Sequence, residues 1–212
     1  MDHYIDIHTH NPLNHRLGVR NFRLAAEEKP TSDPLSAGIH PWDSERLLPC
    51  SEQLLRELEG MECVAIGEIG LDKVCDAAWE AQQTLFEKQL DIATHRGLPV
   101  IIHCVKAQAE ILKKLKGYPN LPAVIFHGFI GSPQQAKEII SNRHYISFGF
   151  SALRSPKTIK AIEACPTENI FLESDESQED ITTLYQAVAT IKGVTTEQLC
   201  AQIFNNYRRI FQ

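Results

Sequence analysis

Three side chains near the start of the chain have the types and spacing of metal ligands. The stretch Tyr4-Ile5-Asp6-Ile7-His8-Thr9-His10 reads as a strand. Its period of two puts Asp6, His8 and His10 on one side and Ile5 and Ile7 on the other. Two imidazoles so spaced can reach one ion, and a carboxylate two residues deeper can orient an imidazole from behind. Buried without that use, each polar group would need a partner of its own. Taken alone, His-x-His is read equally well as an exposed first strand with incidental histidines.

The same donor types recur at the ends of later strand-like runs. His40 ends Ala37-Gly38-Ile39-His40, Glu68 follows Ala65-Ile66-Gly67, and His103 ends Pro99-Val100-Ile101-Ile102-His103. His127 ends Val124-Ile125-Phe126-His127, and Asp175 ends Phe171-Leu172-Glu173-Ser174-Asp175. Imidazoles and carboxylates without thiolates suit Zn²⁺, Mn²⁺ or Fe²⁺, and Mg²⁺ where waters complete the shell. The donors outnumber the needs of one tetrahedral ion, which favours two metals.

Such residues converge only if the strands lie side by side. Eight runs are expected: Tyr4–His10, Val19–Leu24, Leu35–His40, Glu62–Gly67, Leu98–His103, Ala123–His127, Tyr145–Phe150 and Asn169–Ser174. Helical spacing marks Ala77–Arg96, closed by Gly97, and Ala107–Lys116. Ser132-Pro133 and Ser155-Pro156 place an N-cap before a proline, Ser177 is the expected cap of a helix to Lys192, and Thr195 with Gln198 forms a capping box. Strands alternating with helices predict an α/β fold, a (β/α)8 TIM barrel whose strand ends share one rim. The first two β/α units are shortened, because little chain separates the first three strands. A doubly wound open sheet is the structural alternative. Residues 1–212 read as a single domain, without linker, repeat or low-complexity tract.

Composition narrows the class. The 212 residues are 43% hydrophobic and 23% charged, as in ordinary globular proteins. Met1-Asp2-His3 lacks a basic segment and an apolar run, so no leader is expected, and no stretch is apolar enough for a membrane span. The six cysteines show no paired spacing and read as free thiols, which suits the cytoplasm. A net charge of −6 argues against a broad basic face for nucleic acid, but local metal ions could still hold a phosphate.

At this level of detail the sequence resembles the TatD family of metal-dependent hydrolases, amidohydrolase-like barrels that include deoxyribonucleases. The resemblance runs through Asp6-Ile7-His8-Thr9-His10, Gly38-Ile39-His40-Pro41, Gly67-Glu68-Ile69-Gly70-Leu71-Asp72 and Gln89-Leu90. It continues through Pro99–His103, His127-Gly128-Phe129-Ile130-Gly131-Ser132, Leu172-Glu173-Ser174-Asp175 and Asn206-Tyr207-Arg208-Arg209-Ile210-Phe211. It implies two divalent ions (Zn, Mg or Mn) bridged by Glu68, one completed by His8, His10 and Asp175, the other by His103 and His127. A metal-activated water would attack phosphorus, with Asp175 also accepting its proton.

Around that set, Asp6 is expected behind a ligand histidine, and His40 and Lys106 beside the substrate or the ligands. Asp72 is read as structural and Cys104 as packing, while His3, His15, His95 and His144 are read as surface residues. Compared with the family, the segment after the first strand is short, and Asp175-Glu176-Ser177-Gln178-Glu179-Asp180 is acidic and leads directly into a helix. The expected activity is phosphoester hydrolysis, with DNA as substrate and no obligate protein partner. The alternatives are a small phosphoester, amide or lactone substrate, or a barrel that binds metal or a partner without turnover.

Overall fold

A computed structural model describes residues 4–13, 16–25 and 33–212. His3, His15 and most of the turn at residues 29–34 lie outside the described residues. The strands are β1 (Ile5–Thr9), β2 (Leu17–Arg23), β3 (Leu35–Gly38), β4 (Ala65–Asp72), β5 (Val100–Val105), β6 (Val124–Phe126), β7 (Tyr145–Phe148) and β8 (Ile170–Leu172). The helices are α1 (Ser44–Leu47), α2 (Ser51–Gly60), α3 (Trp79–Arg96), α4 (Gln108–Leu115), α5 (Pro133–Ser141), α6 (Pro156–Ala164), α7 (Ile181–Lys192) and α8 (Thr196–Phe211). Strand order in the sheet follows chain order from β1 to β8. The fold is a (β/α)8 barrel. Among the described residues no helix separates β1 from β2, in keeping with the shortened first unit. No helix among them is long and apolar enough to cross a membrane.

The chain divides into two compact units, Met1–Arg20 with Ile125–Gln212, and Asn21–Val124. In the first, β1 pairs in parallel with β2, and β7 with β6 and β8. β8 is joined to β1 by a parallel bridge between Asp175 and Thr9. In the second, β4 runs parallel to β3 and β5. β1, β3, β4 and β8 are buried throughout, as parallel strands covered on both faces must be.

Two strands break their register beside a candidate ligand. On β1 the pairing passes from Asp6–Gly18 to Thr9–Arg20, three steps against two, which places an irregularity at Ile7–His8. On β4 it passes from Ile66–Val100 to Ile69–Ile102, with the same effect at Gly67–Glu68. A bulge re-aims the side chain it carries, so period-two alternation does not run unbroken from Asp6 to His10. β4 also extends five residues past its expected end, and Glu68 lies inside the strand rather than after it.

The caps follow the sequence with one exception. Ser132 and Thr195 form capping boxes and Ser155 caps α6. α7 begins later than expected: Asp180 accepts from Thr182 N, while the Ser177 hydroxyl accepts from Glu179 N in the preceding loop. α7 in turn fixes the first strand. The buried Tyr185 hydroxyl accepts from Ile5 N at 3.0 Å and donates to Ile5 O at 2.9 Å. Tyr185→Phe strands both backbone groups in the core and is expected to lower unfolding stability by about 2 kcal/mol, read from denaturant midpoints.

His95 is exposed, as expected, but His144 is half-buried with its ring 6.0 Å from Phe126. Burial pushes its pKa down to about 4. The folded chain therefore keeps this ring neutral where the unfolded chain takes up a proton, below about 6.5. Stability should fall by on the order of 2 kcal/mol as pH drops from 6.5 to 4. His144→Gln should flatten that limb in denaturation curves taken at several pH values.

Candidate metal centre

The first unit gathers His8, His10, His127, Glu173 and Asp175. His8 Nε2 lies 3.7 Å and His10 Nε2 3.6 Å from Asp175 Oδ1. The His8 and His127 rings are 4.2 Å apart. Donor atoms of His8, His10 and Asp175 lie within 4.8 Å of one another, and so do those of His127, Glu173 and Asp175. Backbone bonds set this spacing: His10 N donates to Asp175 O and Asp175 N donates to His8 O, each at 3.0 Å. Asp175 itself sits in the left-handed region at φ 55°, a costly conformation for a non-glycine residue that its two strand contacts hold in place. Its carboxylate remains 44% exposed, while His8 is fully buried.

Glu173 was not singled out from the sequence. It is fully buried, accepts from Gly128 N at 2.7 Å and has Oε1 3.4 Å from His127 Nδ1. Burial by itself would raise its pKa, but the facing His127 and His8 imidazoles outweigh it and hold the carboxyl below its usual range. The signal was a second acid two residues before Asp175, directly after the apolar run Ile170–Leu172. Asp6, expected behind a ligand histidine, accepts from Ser174 N at 2.9 Å and Ser174 Oγ at 2.6 Å, and so braces the residue next to Asp175. Burial raises the Asp6 pKa to about 6 despite those bonds.

The second unit brings Glu68, His103 and His40 together, with donor atoms again within 4.8 Å of one another. Glu68 Oε1 lies 2.7 Å from His103 Nδ1 and 3.1 Å from His40 Nε2. The far nitrogen of His103, Nε2, lies 3.1 Å from Asp72 Oδ2. Both ring nitrogens of His103 therefore face a carboxylate, which only accepts, and a neutral ring can donate to just one of the two. With its proton on Nε2 towards Asp72, the ring would leave Nδ1 and Glu68 to hold a cation together. His40 is different: its Nδ1 accepts from Trp42 N at 3.2 Å, so its neutral ring carries the proton on Nε2 and donates to Glu68. Burial lowers the His40 pKa against the pull of Glu68 and keeps that neutral form. In this state His40 orients Glu68.

Asp72 has a positioning role. Besides His103 it accepts from Trp42 Nε1 at 2.7 Å and from the backbone of Val74 and Cys75. Burial would raise its pKa, and these bonds hold it below the usual carboxylate range. α3 holds the backbone beneath both sides of the cluster through two buried glutamines. Gln82 brackets the amide and carbonyl of Asp72, and Gln89 those of Ile39, next to His40. Seven residues apart, they share one helix face. At Gly70 a Cβ would stand 2.0 Å from His103 O, so only glycine lets β4 approach β5 this closely. Lys106 is exposed in a left-handed turn (φ 52°) after β5, and Cys104 is half-buried.

The family model of TatD related DNases matches residues 13–212. This chain belongs to the TatD family of metal-dependent hydrolases. A metal-dependent hydrolase of Haemophilus influenzae is 30% identical over 198 residues, 82% of this chain and 75% of that protein. The "3'-5' ssDNA/RNA exonuclease TatD" of Salmonella typhimurium is 33% identical over 146 residues, 66% of this chain and 56% of that one. The chain thus spans little more than half the length of that exonuclease. The crystal structure of the Escherichia coli TatD homologue YJJV superposes with a TM-score of 0.82 over 99% of this chain and 98% of that one, at 22% identity, which shows the fold.

Imidazole nitrogens and carboxylate oxygens without thiolates fit a divalent ion in either unit. If Asp72 orients His103 for such an ion, Asp72→Asn should weaken divalent-metal affinity about 10- to 100-fold with the fold retained. Metal titration by calorimetry beside a circular dichroism spectrum checks this.

Proposed function

We propose that this chain hydrolyses phosphoester bonds of DNA, using two divalent ions, as a single-domain cytoplasmic enzyme. The observation that carries the reading is the pair of donor sets, His8-His10-Asp175 and Glu68-His103 with His40 behind Glu68, the donor atoms of each within 4.8 Å of one another. His127 completes the ligand set, and the resemblance makes Glu68 the shared ligand. Relatives named as nucleases support nucleic acid as the substrate class. The six cysteines, all free thiols, support a reducing compartment.

Bound divalent ions would supply positive charge for a phosphoryl oxygen and lower the pKa of water. The residues do the rest. Asp175, with an accessible carboxylate, accepts the proton of the attacking water. Asp72 and Glu173 keep His103 and His127 oriented. A cavity of about 450 Å³ opens over Glu173 and Asp175, lined in part by Ile130, Phe150 and Arg154. Arg154 offers that cavity a guanidinium for phosphate. Its volume is that of a small-molecule site, which favours a small phosphoester as the second reading.

Glu68→Ala is expected to lose at least one of two ions per chain, and activity by at least about a hundredfold, since a direct ligand outweighs an outer partner. Elemental analysis of purified protein reads the first, and an unchanged metal content would remove Glu68 from the ligand set. Hydrolysis of single-stranded DNA and of p-nitrophenyl phosphoesters with Mg²⁺, Mn²⁺ and Zn²⁺ separates the readings. Turnover of the small esters alone would favour the second, and turnover of neither by metal-loaded protein would rule out both.

A further inference from the structure

We infer that Trp42 is a stacking platform for a nucleobase flanking the scissile phosphate, and so sets a preference for nucleotides over phosphoesters without an aromatic group. The inference rests on the phosphoester reading above and names a feature that the ligand set does not contain. Trp42 is 52% exposed, one of the few large apolar side chains on the surface. It is nevertheless fixed. Its indole Nε1 donates to Asp72 Oδ2 at 2.7 Å, and its ring meets His40 edge-on at 4.6 Å and His103 at 5.8 Å.

The committed Nε1–H is the only polar atom of the side chain. What Trp42 offers to solvent is therefore π surface, held in register with two histidines of the candidate centre. The Arg23 guanidinium stands 5.7 Å from the ring centroid and is itself paired with Asp43 at 2.7 Å, so its charge is matched inside the protein. A second exposed apolar side chain, Val74 at 60%, hangs on the same carboxylate through its backbone N–H to Asp72 Oδ1. One carboxylate thus locks the ligand His103, the indole and the valine into a single unit. Every nucleobase has a face to lay on that ring, and stacking there does not depend on base identity.

The test compares short single-stranded oligonucleotides that carry a base, or an abasic residue, beside the cleaved bond. Trp42→Ala should lower the ratio of kcat/KM on the base-bearing to the abasic substrate by between about fivefold and a hundredfold. Trp42→Phe, which keeps a ring but loses the bond to Asp72, should retain most of the ratio. An unchanged ratio in Trp42→Ala, or equal loss in both variants, would overturn the platform. A second measurement is independent of turnover. In metal-loaded Trp79→Phe protein, where Trp42 is the remaining tryptophan of two, a base-bearing phosphorothioate oligomer should quench emission and its abasic counterpart should not. Equal response to the two would also overturn the platform. If the unsubstituted protein cleaves neither oligomer, the phosphoester reading fails, while the quenching still decides the platform.

Discussion

A buried carboxylate must be matched by donors, and Asp72 shows how much one such group can organise. It accepts from an indole and from two successive loop amides, and it faces Nε2 of His103. Remove its charge and each of those groups loses its reference point. The His103 ring is held between it and Glu68, one carboxylate at each nitrogen. Asp6 and Glu173 do comparable work in the other unit, each fixing a neighbour of a donor rather than serving the site alone. In each unit, acids that are buried beside the donors thus help to orient them.

Much of the fold was legible because it rests on local rules. Strand-like runs with donors at their ends, Ser-Pro starts and the Thr195 capping box depend on neighbours within a few residues, and the structure follows them. The departures come from longer range. Register breaks at His8 and Glu68 belong to a pair of strands, so no single strand can announce them. Ser177 and Asp180 are both good caps; only the loop's bonds to the rest of the chain decide between them. His144 looked like a surface residue until the packing after α5 covered it.

The site was legible by residue type and less so by role. Histidines and acids at strand ends mark the centre, but Glu173 was hidden by its apolar surroundings. His40 was expected beside the substrate or the ligands, and its role turns on a backbone amide, Trp42 N, that determines which nitrogen bears the proton. Asp6 pointed to the correct neighbourhood while its bonds went to Ser174 instead of announcing a histidine partner. In each case the deciding contact spans a distance in sequence, or an atom, that a residue pattern does not record.

The paired glutamines of α3 carry a consequence for how this chain can vary. Gln82 and Gln89 grip the peptides of Asp72 and Ile39 from one helical face, two turns apart. One residue inserted between them would rotate one grip away from the other by about 100°. Loops around the barrel can lengthen or shrink, as the first one has here, without disturbing that spacing. The stretch between the two glutamines cannot. It works as a ruler, and in chains descended from a common ancestor it should keep its length while the loops beside it drift.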